Sequence, residues 1–337
     1  MKVLRNILVG LLLVVLLALA AVAVTATNVH AMEFVIRQVL QRTAKEVQGF
    51  NLSSLVYSFP SSWTLGGVRA TVLVEGKPAK LFVNQLEIKD ALHLLADEEH
   101  TEVSVSGAEA AYDKLNVRGT ACTVDLSRST NGIFYRGNIL LAQVSQDPFS
   151  VSDVKTEVAG NEQSVTLSNL TAVVYGGQLS GSVRTVFTVP AGYAVDLSLR
   201  DVDSSELERA VGGVFRELGG KLSGRLHVAG VGQRVDLFDT SWNMPSGGAI
   251  SAELLSSITR YIPDSVQKKR LDFLIRSGGK LAVESFLFTL KNDTPERLSG
   301  QIGVKSREAN LELNVTHEIR VDARIDSLLQ AWQAVFK

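Results

Sequence analysis

The sequence predicts a mainly β chain with a few helices, in which an N-terminal transmembrane helix precedes a long, mostly antiparallel sheet. Three observations predict it. An uncharged apolar run, residues 7–24, follows Lys2 and Arg5. From about residue 68 to residue 202, apolar and polar positions alternate with a period of two, the pattern of strands with one apolar and one polar face. Short turn signals separate the alternating runs: Asn131-Gly132, Gly160-Asn161, Gly176-Gly177 and Pro190-Ala191-Gly192. Such short links join antiparallel neighbours, because parallel ones need long crossovers.

The 18 residues of the opening run make a helix of roughly 27 Å, close to a bilayer core of ~30 Å. Ile7, Leu11, Val15, Leu19 and Val24 mark its length. Basic residues on its N-terminal side place the N-terminus in the cytoplasm and everything after residue 31 outside. A cleaved signal peptide is the competing reading, with Val29-His30-Ala31 as its cleavage site. Its apolar stretch exceeds the ~7–15 residues usual for a cleaved segment, which favours a retained anchor.

The chain of 337 residues holds 34 Lys and Arg against 35 Asp and Glu, with 45% hydrophobic and 20% charged residues. That is the composition of a folded protein. Without a basic excess it is not that of a nucleic-acid binder. A single cysteine, Cys122, excludes an intrachain disulfide and a cysteine-based zinc cage. The expected organisation is an anchor or signal segment (1–31), a helical stalk (32–48), a β-rich region (49–202) and a second β-rich region with short helices (203–337).

The stalk carries Phe34, Val35, Val39 and Leu40 on one side and stops at Gly49. In the first β-rich region Val103 and Val105 alternate with Glu102, Ser104 and Ser106. Cys122, Val124 and Leu126 alternate with Thr123, Asp125 and Ser127. Tyr193, Val195, Leu197 and Leu199 alternate with Ala194, Asp196, Ser198 and Arg200. A helix follows Asp203, with Ser205 and Glu208 at capping-box spacing. It has Leu207, Val211, Val214, Phe215 and Leu218 on one face, and Gly219-Gly220 as its end. A strand is expected over 221–229 and a helix over 252–261, stopping before Pro263. A hairpin of strands 271–275 and 280–291 turns at Ser277-Gly278-Gly279. Strands through Leu311, Leu313 and Val315 and through Ile319, Val321, Ala323 and Ile325 come last. A helix with Leu328, Leu329, Trp332 and Phe336 follows Asp326. Three segments share an L-S-G-x-aliphatic pattern, at Leu179, Leu222 and Leu298.

Alternating strands must put their apolar face somewhere dry: against a second sheet, under a helix, or around hydrocarbon. The residues that would line such a space are Val103, Val105, Val124, Leu126, Tyr193, Val195, Leu197, Leu199, Leu313 and Val321. The pattern fits a sandwich core as well as an acyl-chain groove.

Catalytic signatures are sparse. The five histidines show no H-x-x-x-H or H-E-x-x-H spacing, and there is no G-x-S-x-G or phosphate-loop motif. His100 after Asp97-Glu98-Glu99 reads as a solvated turn. Cys122 reads as a small buried hydrophobe, and Gln267-Lys268-Lys269-Arg270 as a solvated face or a contact for anionic headgroups. The expectation is a protein that is not an enzyme and has no cofactor and no metal site.

Three features resemble the AsmA-like superfamily of bacterial envelope proteins. One is a single anchor running into a β-rich exported body. Another is the stretch 173–231, where "VVYGGQLSGSV" precedes "LRDVDSSELERAVGGVFRELGGKLSGRLHVAGVG". The third is "LFVNQLEIKDALHLL" at 81–95. Together they cover about 130 residues, and the chain is short for that group. The resemblance implies a long sheet curled into a groove, apolar inside and polar outside, that handles phospholipid between the inner and outer membranes. It further implies a single-pass inner-membrane protein with a periplasmic body, a role in outer-membrane biogenesis, and phospholipid, membrane and other envelope proteins as partners. A membrane-tethered structural or partner-binding β-protein is the alternative.

Overall fold

A computed structural model describes residues 29–30, 33–34, 47–58, 61–74, 77–90, 100–130, 132–211, 218–259, 264–276, 278, 280–294, 297–308 and 310–320. The anchor residues Ile7, Leu11, Val15, Leu19 and Val24 lie outside this set, as do Val321 and the expected helix after Asp326. Among the described residues no helix is long and apolar enough to cross a membrane.

The chain is mainly β; the described residues form eighteen strands in a long antiparallel sheet and few helices. It divides into two compact units, residues 1–142 and 143–337. The first contains β1 (Val47–Asn51), β2 (Ser54–Ser58), β3 (Ser62–Val74), β4 (Lys77–Lys89), β5 (His100–Tyr112) and β6 (Leu115–Ser129), and the start of β7 (Gly132–Gln146). β1 and β2 both pair with β3, and β3 to β6 then pair in chain order. This is a meander, the arrangement that short turns dictate.

In the second unit β8 (Phe149–Asn161), β9 (Ser164–Val174), β10 (Gly177–Val186), β11 (Gly192–Asp203), β12 (Leu218–Val231) and β13 (Arg234–Asn243) pair in series. β13 then pairs with β16 (Ser285–Thr294), which is followed by β17 (Arg297–Ser306) and β18 (Leu311–Arg320). The chain between β13 and β16 leaves this series. It forms the short strands β14 (Gly248–Ile250) and β15 (Leu281–Val283) with α2 (Ala252–Thr259) and α3 (Val266–Arg276) between them. α1 (Ser204–Val211) joins β11 to β12.

These helices fill the second unit's core. Leu207 of α1, Leu254 and Leu255 of α2 and Leu271 of α3 cluster with Val202, Leu222, Val235, Phe286, Phe288, Leu290 and Leu298 from the strands. Leu222, Leu290 and Leu298 have no exposed surface. The L-S-G segments lie in β10, β12 and β17, so the shared pattern marks strands rather than turns. In β12 its glycine is a steric requirement, since a Cβ on Gly224 would stand 2.6 Å from the Trp242 ring.

Five local expectations are corrected. Residues 271–275 are helical, within α3. Leu271, Leu274 and Ile275 at helical spacing join the core, while Phe273 is 74% exposed; a strand would have put Leu271 and Phe273 on one face. Leu218 opens β12 instead of closing α1, because it pairs with Ile250 of β14. The start of β12 is held by the buried Ser204 hydroxyl, which donates to Leu218 O (2.9 Å) and accepts from Gly220 N (3.0 Å). The cap of α1 is Asp203: its Oδ1 accepts from Ser205 N at 2.8 Å and from Ser205 Oγ at 2.6 Å. The helical stalk does not reach residue 48. Glu33 and Phe34 are helical, but β1 begins at Val47 and includes Gly49, its hydrogen bonds satisfied by β3. At the other end β18 is one strand across 316–318, where a break was expected.

Candidate functional site: an apolar sheet face

In the first unit, register sets apolar side chains in rows across the strands. Trp63, Ile88, Val103 and Val124 oppose one another in turn from β3 to β6, and Leu65, Leu86, Val105 and Cys122 form the next row. Leu126 extends the face opposite Thr101. With strands ~4.8 Å apart, each row runs about 14 Å. Thr64, Glu87, Ser104 and Thr123 occupy the other face of the same strands. The four candidates here, Val103, Val105, Val124 and Leu126, are therefore brought together, and each is half-buried.

A further row begins three residues away rather than two. Val68, Val83 and Ala108 are buried and oppose one another, in one cluster with Leu65, Leu86 and Val105. Between the two sets lie Gly67 and Gly107, both at φ +61°, with Asn84 between them in register. A left-handed residue inside a strand bends it and turns the following side chains to the other face. This line of three residues keeps both sets of apolar rows on one side of the sheet. Leu52, between β1 and β2, and Val29 also pack on the cluster.

The site's polar groups are few. Burial pushes the Cys122 thiol up from its ordinary value. The Trp63 indole nitrogen is buried without a hydrogen-bond partner. On the opposite face, beside Glu87 and Ser104, Lys89 is paired with Glu102, whose hydrogen bond and charge raise the exposed ammonium's pKa.

In the second unit the candidates of β11 separate. Tyr193, Val195 and Leu197 are half-buried along one face, with Val195 between Val183 and Val228. Tyr193 donates its hydroxyl to Arg234 O at 3.2 Å, and burial pushes the phenol up. Leu199 and Leu313 pack against the helix-filled core. Asp97, Glu98 and Glu99, which precede His100, lie outside the described residues; among the described residues no three His, Cys, Asp or Glu side chains gather. Lys268 of the basic run in α3 pairs with Asp264 at 3.0 Å.

The residues that sequence reading missed are the left-handed ones. Besides Gly67 and Gly107 they include Gly119 in β6, Asp153 in β8, Asn169 in β9 and Asp201 in β11, with φ of 64°, 52°, 51° and 55°. A signal was present. Leu65-Gly-Gly-Val68, Val105-Ser-Gly-Ala108, Val151-Ser-Asp-Val154, Leu167-Ser-Asn-Leu170 and Leu199-Arg-Asp-Val202 all read aliphatic-x-(Gly, Asp or Asn)-aliphatic. The alternation slips by one at each of them.

No protein-family model, curated protein or solved structure matches this chain.

Proposed function

We propose that this chain is a membrane-anchored, non-enzymatic envelope protein that handles phospholipid, holding acyl chains on an apolar β-face between the inner and outer membranes and contributing to outer-membrane biogenesis. The observation that carries the reading is the pair of apolar rows through Val103 and Val124 and through Val105 and Cys122, with half-buried Leu126 beside them. Each methylene moved from water onto such a surface contributes about 0.8 kcal/mol when fully buried, with no need for directional groups. The resemblance to AsmA-like proteins supports the same reading, as does the apolar run at residues 7–24.

The second unit limits where the lipid would lie. Its apolar face beneath β12, β13 and β16 to β18 is filled by α1, α2 and α3, so acyl chains are assigned to the first unit's rows. That filled core also favours the second reading, a tethered protein that binds a protein partner and no lipid. A photocrosslinking side chain placed at Val105 or Val124 in the full chain, in its native membrane, decides between them. Lipid adducts at these positions and not at Ser104, on the opposite face, are expected. Protein adducts alone would establish the partner-binding reading, and the absence of lipid at both positions would sink the first.

A further inference from the structure

The polar face of the first unit carries a different kind of surface. A depression of about 450 Å³ is lined by Arg69 of β3, Lys80 and Phe82 of β4, Glu109 of β5 and Asn116 and Arg118 of β6. Arg69 and Phe82 follow and precede the buried Val68 and Val83, so they lie on the side away from the apolar rows. In register, Arg69 opposes Phe82 and Phe82 opposes Glu109. Lys80 opposes Thr71 on one side and Ala111 on the other, with Asn116 beyond.

The charges are unbalanced. Three cations face one carboxylate, and among the described residues no ion pair holds Arg69, Lys80 or Arg118. The Arg69 guanidinium lies over the Phe82 ring, 5.6 Å from its centre. That stack holds the group in place while leaving its N–H edge to donate. Neighbouring strands of a meander hold these residues at fixed spacing, which concentrates their positive potential on one small area of the face.

We propose that this depression binds a dianionic phosphate group. Arg69 and Arg118 supply forked donors, Lys80 a point charge, and Asn116 a neutral donor; the surplus of two positive charges matches a phosphate monoester. Glu109 tunes the site by weakening it. The same chemistry is offered by a free phosphate ester and by the headgroup of an anionic lipid such as phosphatidic acid. The proposal does not depend on the lipid reading, because the two sites occupy opposite faces.

The test titrates the full chain with glycerol 3-phosphate, and separately with phosphatidylcholine vesicles with and without phosphatidic acid. Arg118→Gln and Lys80→Gln are each expected to weaken binding about tenfold, as the loss of one charge-assisted hydrogen bond does, and Glu109→Gln is expected to tighten it. These side chains are exposed, so circular dichroism should be unchanged. Substitution-sensitive binding of glycerol 3-phosphate alone assigns a soluble ligand. A substitution-sensitive preference for phosphatidic acid vesicles assigns a headgroup. No saturable binding to either, or binding indifferent to all three substitutions, overturns the proposal.

Discussion

Gly67 of β3 and Gly107 of β5 hold the same left-handed backbone, φ +61° at each, on either side of Asn84 of β4. Because they share one transverse line, three neighbouring strands switch faces together. Leu65 and Val68, Leu86 and Val83, and Val105 and Ala108 thereby stay in one apolar cluster despite spacings of three. An unbroken alternation would have sent half of these side chains to water.

The first prediction concerns that line. Gly107→Ala places a Cβ at 2.9 Å from the Asn84 Cβ and forces a left-handed φ, at about 1–2 kcal/mol for the backbone alone. Urea unfolding should show at least that loss. Asn169→Gly, at a left-handed position already filled by a permissive residue, should change stability by well under 1 kcal/mol. Equal losses at both would remove the backbone argument.

Burial separates the two units' responses to truncation. Leu222→Ala and Leu298→Ala empty fully buried positions and should each cost about 2–5 kcal/mol. Val103→Ala, on a half-buried row, should cost no more than about 1 kcal/mol while weakening any lipid crosslink at Val105. Denaturation midpoints and crosslink yield check the two halves of this statement.

Asp203 makes α1 sensitive to acid. The Ser205 hydroxyl and then its backbone N–H hold the Asp203 carboxyl below the ordinary carboxylate range. A depressed folded pKa means that the cap's ionic contribution is complete above the unfolded value of about 3.9 and is lost as pH falls through the lower folded value. Asp203→Asn keeps an acceptor, so its stability should not show this loss. The gap between the two proteins should close below about pH 4. Asp203→Ala should lose about 0.5–2 kcal/mol at neutral pH. Thermal midpoints across pH measure both.

Cys122 is a native reporter of the apolar face. It opposes Val105, and its thiol is raised by burial, so little thiolate exists at neutral pH. Maleimide labelling should be slower than for a free cysteine at pH 7 and should accelerate as pH rises. Phospholipid held on the rows should slow it further. Identical rates with and without added lipid would count against the lipid reading.

Much of the fold was legible from alternation alone. Val103, Val105, Cys122 and Val124 fall on one face as their spacing requires, and Tyr193 to Leu199 share a face of β11. Short turns correctly implied antiparallel neighbours. Residues 271–275 suggest a strand because five residues containing Leu271, Phe273 and Ile275 satisfy a period of two as well as a helical one. Only the core it joins discriminates, through Leu274 and Ile275 against Leu271. Leu218 suits helix and strand alike by sequence, and its pairing with Ile250 selects the strand.

The sequence by itself determined that this chain is strand-rich, antiparallel and amphipathic, because those properties follow from side-chain periodicity and turn chemistry within a few residues. It left open which apolar faces are covered. The tertiary structure decided that, by folding α1, α2 and α3 onto the second unit's strands while aligning Gly67, Asn84 and Gly107 across the first. Both outcomes depend on contacts between residues far apart in the chain, where local pattern carries no information and the burial of shared apolar surface selects the arrangement.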